Sequence, residues 1–239
     1  METKSENKES AASNSNKSPK KFATFLKDSG KNKITTRLIL DPSEYLNISH
    51  IKLALISFHC AKIHNGKTIL RFDDANPAEQ TDEYVEIILE DLKRLGLEFD
   101  IVSYTSNYFY YLLTKMTKLI HEGKCCCDNS EAQKAKKKSS DDLVVKCRDQ
   151  TPEENLKIWE KMQKGDAQDY CVRAKGDMLH PSMLMRDPVL YRRFDKEHYK
   201  TSKKYKVYPT FSFSCPIIDS IEGVTNFVRV NDYSNQIQQ

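Results

Sequence analysis

Residues 34–72 read ITTRLILDPSEYLNISHIKLALISFHCAKIHNGKTILRF, and this stretch decides the fold. Residues 34–40 have the β-branched and apolar character of a buried strand, and the polar turn at 41–44 breaks it. Apolar residues at helical spacing then predict a helix over about 49–63. A second strand is expected at 68–72. Strand, helix and strand in this order predict a right-handed βαβ crossover in a parallel sheet.

The chain downstream continues to alternate helices with strands. An amphipathic helix is predicted over 82–95 and closes at a glycine, a strand leads to Tyr104, and another helix is predicted over 108–122. Alternation of this kind is typical of an α/β protein with a doubly wound sheet. The sequence therefore predicts the α/β class.

The region after residue 124 has a different character. Residues 151–154 read TPEE, which combines an N-cap hydroxyl, a proline at the first helical position and a reciprocal glutamate, and so predicts a helix start. Strand-like pieces at 171–174 and 188–191 indicate a small α+β subdomain inserted into the first. Within it, Arg186 and Asp187 are expected to form an ion pair.

Three consecutive cysteines at 125–127 allow two interpretations. They could bind a metal, but no CxxC pair with matching histidine spacing accompanies them. We therefore favour a short strand of small apolar side chains. The chain has seven cysteines, an odd number without a paired framework, and no apolar run resembles a signal peptide or a membrane span. A reducing compartment, the cytoplasm, and no membrane association are expected.

Charge and composition separate the first 34 residues from the rest. They are rich in Lys, Ser and Asn, with few large apolar side chains, and predict a disordered tail. The first 35 residues hold eight lysines against four acidic residues, which accounts for the formal net charge of +4. The remainder is near neutral, so RNA affinity would rest on local patches and the tail. A lysine-rich run at 134–138 predicts a mobile polar loop.

Seven collinear motifs carry a family resemblance. They read RFDDANP (71–77), ILEDL (88–92), YTS (104–106), VRAK (172–175), MRDPVLYR (185–192), KVYPT (206–210) and CPIIDSIEGVT (215–225). In this order they resemble the catalytic domain of class I glutamyl-tRNA synthetases of the eukaryotic cytosolic type, such as the glutamyl arm of the fused glutamyl-prolyl enzyme. The resemblance covers the chain from Thr36 to about Tyr233.

This resemblance implies a Rossmann-like (HUP-type) parallel sheet with an inserted α+β subdomain that binds the tRNA acceptor end. The implied divisions are a tail at 1–34, the first half of the catalytic domain at 35–124, the insertion at 125–206 and the start of a truncated second half at 207–239. The implied reaction joins glutamate to ATP, used with bound Mg²⁺, and transfers the acyl group to tRNA. The implied partners are ATP, glutamate and tRNA, with a protein partner as a further possibility.

The implied ATP site lies at the first helix. The family has a Pro-Pro-Glu-x-Ser-Gly turn followed by His-Ile-Gly-His, and here the matching residues are Ser43, Glu44, Asn47, Ser49 and His50. Only the second histidine is kept, as His50, with Asn47 in place of the first; these two are the candidate catalytic residues. Glu44 and Ser49 replace glycines. A carboxylate at position 44 would repel phosphate by an energy of order 1 kcal/mol or more if partly buried.

The implied glutamate site uses Arg37, Asp73, Phe211 and Arg229. Arg37 matches the arginine that holds the substrate carboxylate, a role that suits a bidentate guanidinium. Asp73, or alternatively Asp74, matches the acid that faces the substrate ammonium. The family's Tyr-Asp pair is replaced by Phe211 and Ser212. Phe211 lacks the tyrosine hydroxyl that could form a hydrogen bond to the substrate. Asp73, Asp74 and Arg37 could also be purely structural.

Two functions therefore remain open. One is a glutamate–tRNA ligase domain that activates glutamate with ATP. The other is a catalytically inactive paralogue that serves as a binding or regulatory module. The family's second signature, a lysine loop, would lie after residue 239. The substitutions at 44, 47 and 49 all fall on the implied phosphate site.

Overall fold

A computed structural model of the chain describes residues 33–129 and 147–229. Nearly all of the predicted tail, the lysine run at 134–138 and the last ten residues lie outside the described residues, so the predictions made for them are not tested. The described residues belong to one compact unit.

A parallel sheet forms from the predicted βαβ region. Its first elements are β1 (Thr35–Leu40), α1 (Ile48–Ile63), β2 (Lys67–Phe72), α2 (Asp82–Arg94), β3 (Ile101–Tyr104) and α3 (Phe109–His121). A 3-10 turn at Thr105–Tyr108 precedes α3. The strand order is β3-β2-β1-β8, where β8 is the short strand Asn226–Phe227, and all neighbours pair in parallel. The predicted α/β class is confirmed.

An antiparallel sheet forms from the middle of the chain. It contains β4 (Cys125–Asp128), β5 (Cys171–Ala174), β6 (Val189–Arg193) and β7 (Val207–Pro209) in that order. Helix α4 (Pro152–Lys164) lies between β4 and β5 in sequence, and α5 (Phe211–Glu222) leads from β7 to β8. The predicted domain limit at residue 206 falls just before β7.

Helix α4 begins as its sequence predicts. The Thr151 hydroxyl accepts a hydrogen bond from the Glu154 amide at 3.2 Å, and the Glu154 carboxylate accepts one from the Thr151 amide at 2.8 Å. Pro152 stands at the first helical position, and Gly165 ends the helix with φ of +96°. Each end of α4 therefore supplies partners for backbone groups that the helix itself leaves open.

Two apolar cores support the two sheets. One packs α1 and α2 against the parallel sheet and includes Leu70, Phe72 and Ile88. The other joins the antiparallel sheet to α3, α4 and α5 around Trp159, which is fully buried and donates from its indole to Thr117 Oγ1 at 3.0 Å. Small residues form the buried face of α1, so this helix lies close to β1.

The cysteine triplet forms strand β4 and is buried. Within the described ranges, no group of three or more His, Cys, Asp or Glu residues is arranged to hold a metal ion. The strand interpretation of 125–127 is confirmed.

The expected pairing of Arg186 with Asp187 is wrong. Asp187 instead pairs with Arg148 and accepts from the Gly176 amide at 2.7 Å, while Arg186 Nε donates to the carbonyl of His180 at 2.6 Å. Asp187 has φ of +46°, which turns its side chain toward the strand end at Gly176 and away from its neighbour.

Candidate functional site

One cleft of about 480 Å³ lies at the carboxyl ends of β1 and β2. The amino ends of α1 and α5 and the residues after β8 complete it. Ligands of open α/β sheets bind at this edge, because loops and helix amino ends converge there. The cleft is lined by Arg37, Leu38, Ile39, Asp41, Glu44, Ser49, His50, Leu53, Asp73, Phe211, Val228 and Arg229.

The amino end of α1 is closed by its own cap. The Asn47 side-chain oxygen accepts from the amides of Ser49 and His50 at 3.0 and 3.1 Å. The backbone amide of Asn47 in turn donates to His50 Nδ1 at 3.5 Å. Amides at a helix amino end can bind phosphate, but here a side chain of the protein already uses two of them.

Glu44 adds a negative charge at the same end of the cleft. Its carboxylate lies 3.9 Å from His50 Nε2, and its side chain is 59% exposed. A protonated imidazole would be attracted to that carboxylate, and a phosphate would be repelled by it. The α1 end of the cleft therefore combines one imidazole with one carboxylate.

Arg37 is held inside an ion network. Its Nε donates to Asp219 at 3.0 Å and its Nη2 to the same carboxylate at 3.1 Å, and only 3% of the residue is exposed. Arg71, also buried, contacts Asp219 at 2.8 Å and pairs with Glu222. The two carboxylates on α5 thus neutralise the two arginines on β1 and β2, and the network fixes α5 to the sheet.

Among the residues that line the cleft, Arg229 is the cation with a buried donor atom that lacks a partner. Its guanidinium lies 5.5 Å from the ring centre of Phe211 and 4.8 Å from that of Phe227, and its Nη2 donates to Cys215 Sγ at 3.4 Å. Its Nε is buried and has no hydrogen-bond partner among the residues that the structure describes. A buried guanidinium donor without a partner is costly, so an anionic ligand group would satisfy it.

Asp73 supplies the acid of the cleft. Burial raises its pKa to about 6, the hydrogen bond from Thr105 Oγ1 at 3.0 Å opposes that shift, and the charges of Asp41 and Asp74 add to it. Gln80 bridges the two strand ends, because its amide nitrogen donates to Asp41 at 2.8 Å and to the Asp73 carbonyl at 2.6 Å. A cationic ligand group beside Asp73 would favour its charged form.

The sequence comparison decides the family. The family model described as tRNA synthetases class I (E and Q), catalytic domain, matches residues 33–239. This chain belongs to that family. It is therefore a class I synthetase catalytic domain of the glutamate and glutamine type, and the resemblance found in the motifs is confirmed.

Curated relatives agree with this assignment. The chain is 39% identical over 209 residues to the cytoplasmic glutamate–tRNA ligase of Arabidopsis thaliana, covering 87% of this chain and 29% of that protein. It is 40% identical over 209 residues to the bifunctional glutamate/proline–tRNA ligase of Drosophila melanogaster, covering 87% of this chain and 12% of that protein. The chain thus spans less than a third of the length of these relatives.

Solved structures show the same fold. A glutamate–tRNA synthetase from Elizabethkingia anophelis superposes with a TM-score of 0.56 at 18% identity, covering 85% of this chain and 46% of that one. A glutamate–tRNA ligase from Elizabethkingia meningosepticum, solved in complex with its amino acid, gives 0.57 at 17% identity, covering 86% and 45%. The predicted Rossmann-like fold is confirmed.

The cleft collects most of the predicted site residues. Seven of the nine line it, namely Arg37, Glu44, Ser49, His50, Asp73, Phe211 and Arg229. Asn47 serves as the α1 cap, and Ser43 lies in the turn before it, outside the lining. Asp74 points elsewhere: it is fully buried and accepts from the Ser106 amide and hydroxyl at 2.8 and 2.6 Å. Of the two candidate acids, Asp73 is the one in the cleft.

Two acids, one that lines the cleft and one that pairs with Arg37 beside it, were not predicted from the sequence. Asp41 lines the cleft, and its position directly after a predicted buried strand was the available signal. Asp219 lies within the 215–225 motif but is 182 residues from Arg37, and no local pattern indicates their pairing.

Among the described helices, none is both long and apolar enough to cross a membrane.

Proposed function

We propose that this chain is the glutamate-activating domain of a glutamate–tRNA ligase and that its cleft binds glutamate together with ATP. The observation that carries the proposal is that Arg229, whose Nε has no hydrogen-bond partner among the described residues, lines the same cleft as the acid Asp73. A cationic donor and an acid in one cleft suit an amino acid, whose carboxylates and ammonium require opposite partners.

Arg229 and Asp73 would divide the recognition of glutamate between them. Arg229 would donate to a carboxylate, and the aromatic rings of Phe211 and Phe227 fix the plane of its guanidinium. Asp73 would accept from the ammonium. Arg37 would take little direct part, since Asp219 neutralises its charge and occupies its Nε and one Nη. Ser212 and Phe211 offer no phenol hydroxyl, so affinity rests on charge.

The nucleotide would lie at the α1 end of the cleft, beside Ser43, Glu44, Ser49 and His50. This end suits a triphosphate less well, because Asn47 uses two amides and Glu44 places a carboxylate 3.9 Å from His50. ATP would bring its own Mg²⁺, and its adenylyl group would be transferred to the α-carboxylate of glutamate, with pyrophosphate as the leaving group. The transfer of glutamate to tRNA, with the insertion contacting the acceptor end, and a cytoplasmic location are part of the same proposal.

The closed α1 end favours a second candidate function. In this alternative the domain binds glutamate but does not activate it, and it acts as a binding or regulatory module for tRNA or a protein partner. The observation that favours this function is the Asn47 cap, which completes the hydrogen bonding of the helix amino end without any phosphate.

Two measurements separate these functions. Calorimetry with glutamate should show binding that Arg229→Met weakens by at least tenfold, whereas Arg94→Met, on the exposed face of α2, leaves it unchanged. Glutamate-dependent exchange of pyrophosphate into ATP that His50→Ala abolishes would support the ligase function. Glutamate binding without exchange would support the second function, and the absence of glutamate binding would overturn both.

A further inference from the structure

We propose that His198, in the segment between β6 and β7, is a positioning residue for the cleft acid Asp73. The inference rests on the proposed function in that Asp73 is taken as the acid that meets the ligand ammonium. It assigns to the inserted subdomain a direct part in shaping the amino-acid end of the cleft.

The hydrogen bonds of His198 define its protonation. Its Nδ1 lies 3.0 Å from the Lys200 amide and 3.2 Å from the Thr201 amide, and both amides can only donate. Nδ1 therefore carries a lone pair, and the ring proton is on Nε2. From there the ring donates to the carbonyl of Asp74 at 2.6 Å. His198 thus joins a turn of the insertion to the backbone beside Asp73.

The imidazole is itself fixed by packing. It is 1% exposed, stacks on the rings of Tyr199 and Tyr208 at centroid distances of 4.9 and 6.0 Å, and meets the ring of Phe109 edge-on at 5.5 Å. Because this packing fixes the rotamer of His198, the ring cannot follow movements of the Asp74 carbonyl and instead restrains it.

The turn that His198 contacts carries the acid. The Asp73 amide donates to the Leu40 carbonyl at 2.8 Å, and the Asp73 carbonyl accepts from Gln80 at 2.6 Å. The next carbonyl, that of Asp74, has the His198 ring as its partner. The first two restraints come from the parallel sheet and its loop, while the third comes from the insertion. Without the hydrogen bond from His198, the turn would be restrained only by the parallel sheet and its loop.

Neighbouring contacts repeat the same connection between the insertion and this loop. Lys196 Nζ donates to the Ala78 carbonyl at 2.6 Å, and the Tyr199 hydroxyl donates to the Asp74 carboxylate at 3.3 Å. The charged groups that face Asp73 are Asp41, Asp74 and Arg71. Because burial dominates the raised pKa of Asp73, a loosened turn that admits water should lower this pKa.

The decisive variant is His198→Asn. The asparagine oxygen can still accept from the Lys200 and Thr201 amides, so the local turn is kept, but the side chain is too short to reach the Asp74 carbonyl. His198→Gln, whose amide nitrogen lies near the position of Nε2, should restore part of that bond. His180→Ala is the matched control, since the side chain of this histidine, in the same insertion, is hydrogen-bonded only to Ser182 among the described residues.

The measurement is the titration of the Asp73 carboxyl carbon by NMR in the ligand-free full chain, followed by glutamate binding at pH 7. His198→Asn should move the Asp73 midpoint below that of the parent protein by at least half a pH unit and weaken glutamate binding about fivefold, while His198→Gln should move both values back toward the parent. A His198→Asn variant whose thermal stability falls but whose midpoint and affinity are unchanged would overturn the proposal. If the parent protein binds no glutamate, the proposed function fails, and the titration still decides the positioning role.

Discussion

Asp73 and Asp100 lie at opposite ends of the parallel sheet and respond to the fold in opposite directions. Burial raises the pKa of Asp73 to about 6, whereas hydrogen bonds from the Thr68 hydroxyl and amide lower the pKa of Asp100. Folding therefore strengthens proton binding at the cleft and weakens it at the other end. The cleft acid therefore carries a cost in stability at neutral pH.

We predict that Asp73→Asn changes the pH dependence of stability. Because its pKa is raised in the folded state, Asp73 contributes most to the free energy of unfolding below pH 4. That contribution is lost as the pH rises through about 6. Asn cannot ionise, so this loss is absent in the variant. Between pH 4 and pH 7 the free energy of unfolding of the variant should therefore rise by about 1 kcal/mol relative to that of the parent, after a discount for partial exposure. Urea unfolding at several pH values measures this difference.

Asp100→Asn provides the contrast. Because the pKa of Asp100 is lowered, its contribution is present above the unfolded-state value near 4 and is lost as the pH falls, so this variant should be less stable than the parent at pH 7. The same slope for both variants would contradict the assignment of the two environments.

Glu44 offers a second test at the residue scale. Glu44→Gln removes the carboxylate 3.9 Å from His50 and should strengthen the binding of Mg·ATP about fivefold, which corresponds to about 1 kcal/mol. Glu86→Gln, on the exposed face of α2, removes the same charge far from the α1 end and should change nothing. Calorimetric titration with Mg·ATP measures both, and equal affinities in the parent and Glu44→Gln would show that this carboxylate does not restrict the nucleotide.

At the residue scale, a local motif can predict which side chains lie at the end of one strand. Glu44, Ser49 and His50 follow the end of β1 within ten positions, so a motif could place them at one strand end. The state of Arg37 could not be predicted in this way. Its guanidinium is committed to Asp219, a partner that only the docking of α5 brings near. The sequence can indicate which side chains line a cleft. It does not indicate which of those side chains are free to bind a ligand.

At the scale of elements, helix starts offer a matched comparison. Thr151 and Thr81 both occupy N-cap positions, but only the Thr151 hydroxyl accepts a hydrogen bond from its helix. Thr151→Ala should therefore destabilise the protein by about 1 kcal/mol, and Thr81→Ala by a few tenths at most. Urea unfolding followed by circular dichroism tests this, and equal losses for the two variants would mean that the capping bond contributes nothing.

Elements with strong local signals were predicted to within one or two residues. The helices at Asp82–Arg94 and Phe109–His121 have clear apolar faces, and glycines follow both. Strand β8 is different, because it has two residues and forms only where Thr36 and Arg37 pair with it. A strand that depends on a distant partner leaves no periodicity to detect.

For the whole molecule, the buried ion network connects the halves of the chain. Arg71 of β2 contacts Asp219 and Glu222 of α5, and Tyr108 also donates to Glu222 at 3.0 Å. Arg71→Met should destabilise the protein by about 3 kcal/mol or more, because two carboxylates would lose a buried partner. Arg94→Met breaks only exposed pairs and should cost under about 0.5 kcal/mol. Comparable losses would refute the connecting role of the network.

The parallel βαβ core and the presence of an insertion could be predicted because each follows from local patterns and crossover handedness. The contact between the insertion and the cleft could not. His198 carries no motif of its own, and its bond to Asp74 spans 124 residues. Such contacts depend on how two separately formed sheets meet, which no short stretch of sequence determines.

The position of β8 has a consequence for how the chain reaches its folded state. The Thr35 amide donates to Thr225 Oγ1 at 2.9 Å, and the two residues are 190 positions apart. During synthesis β1 emerges early, yet one of its edges stays open until almost the whole described chain has left the ribosome. The cleft therefore cannot be complete before α5 and β8 have been synthesised, and a nascent chain stalled before α5 would present an unpaired strand edge prone to aggregation.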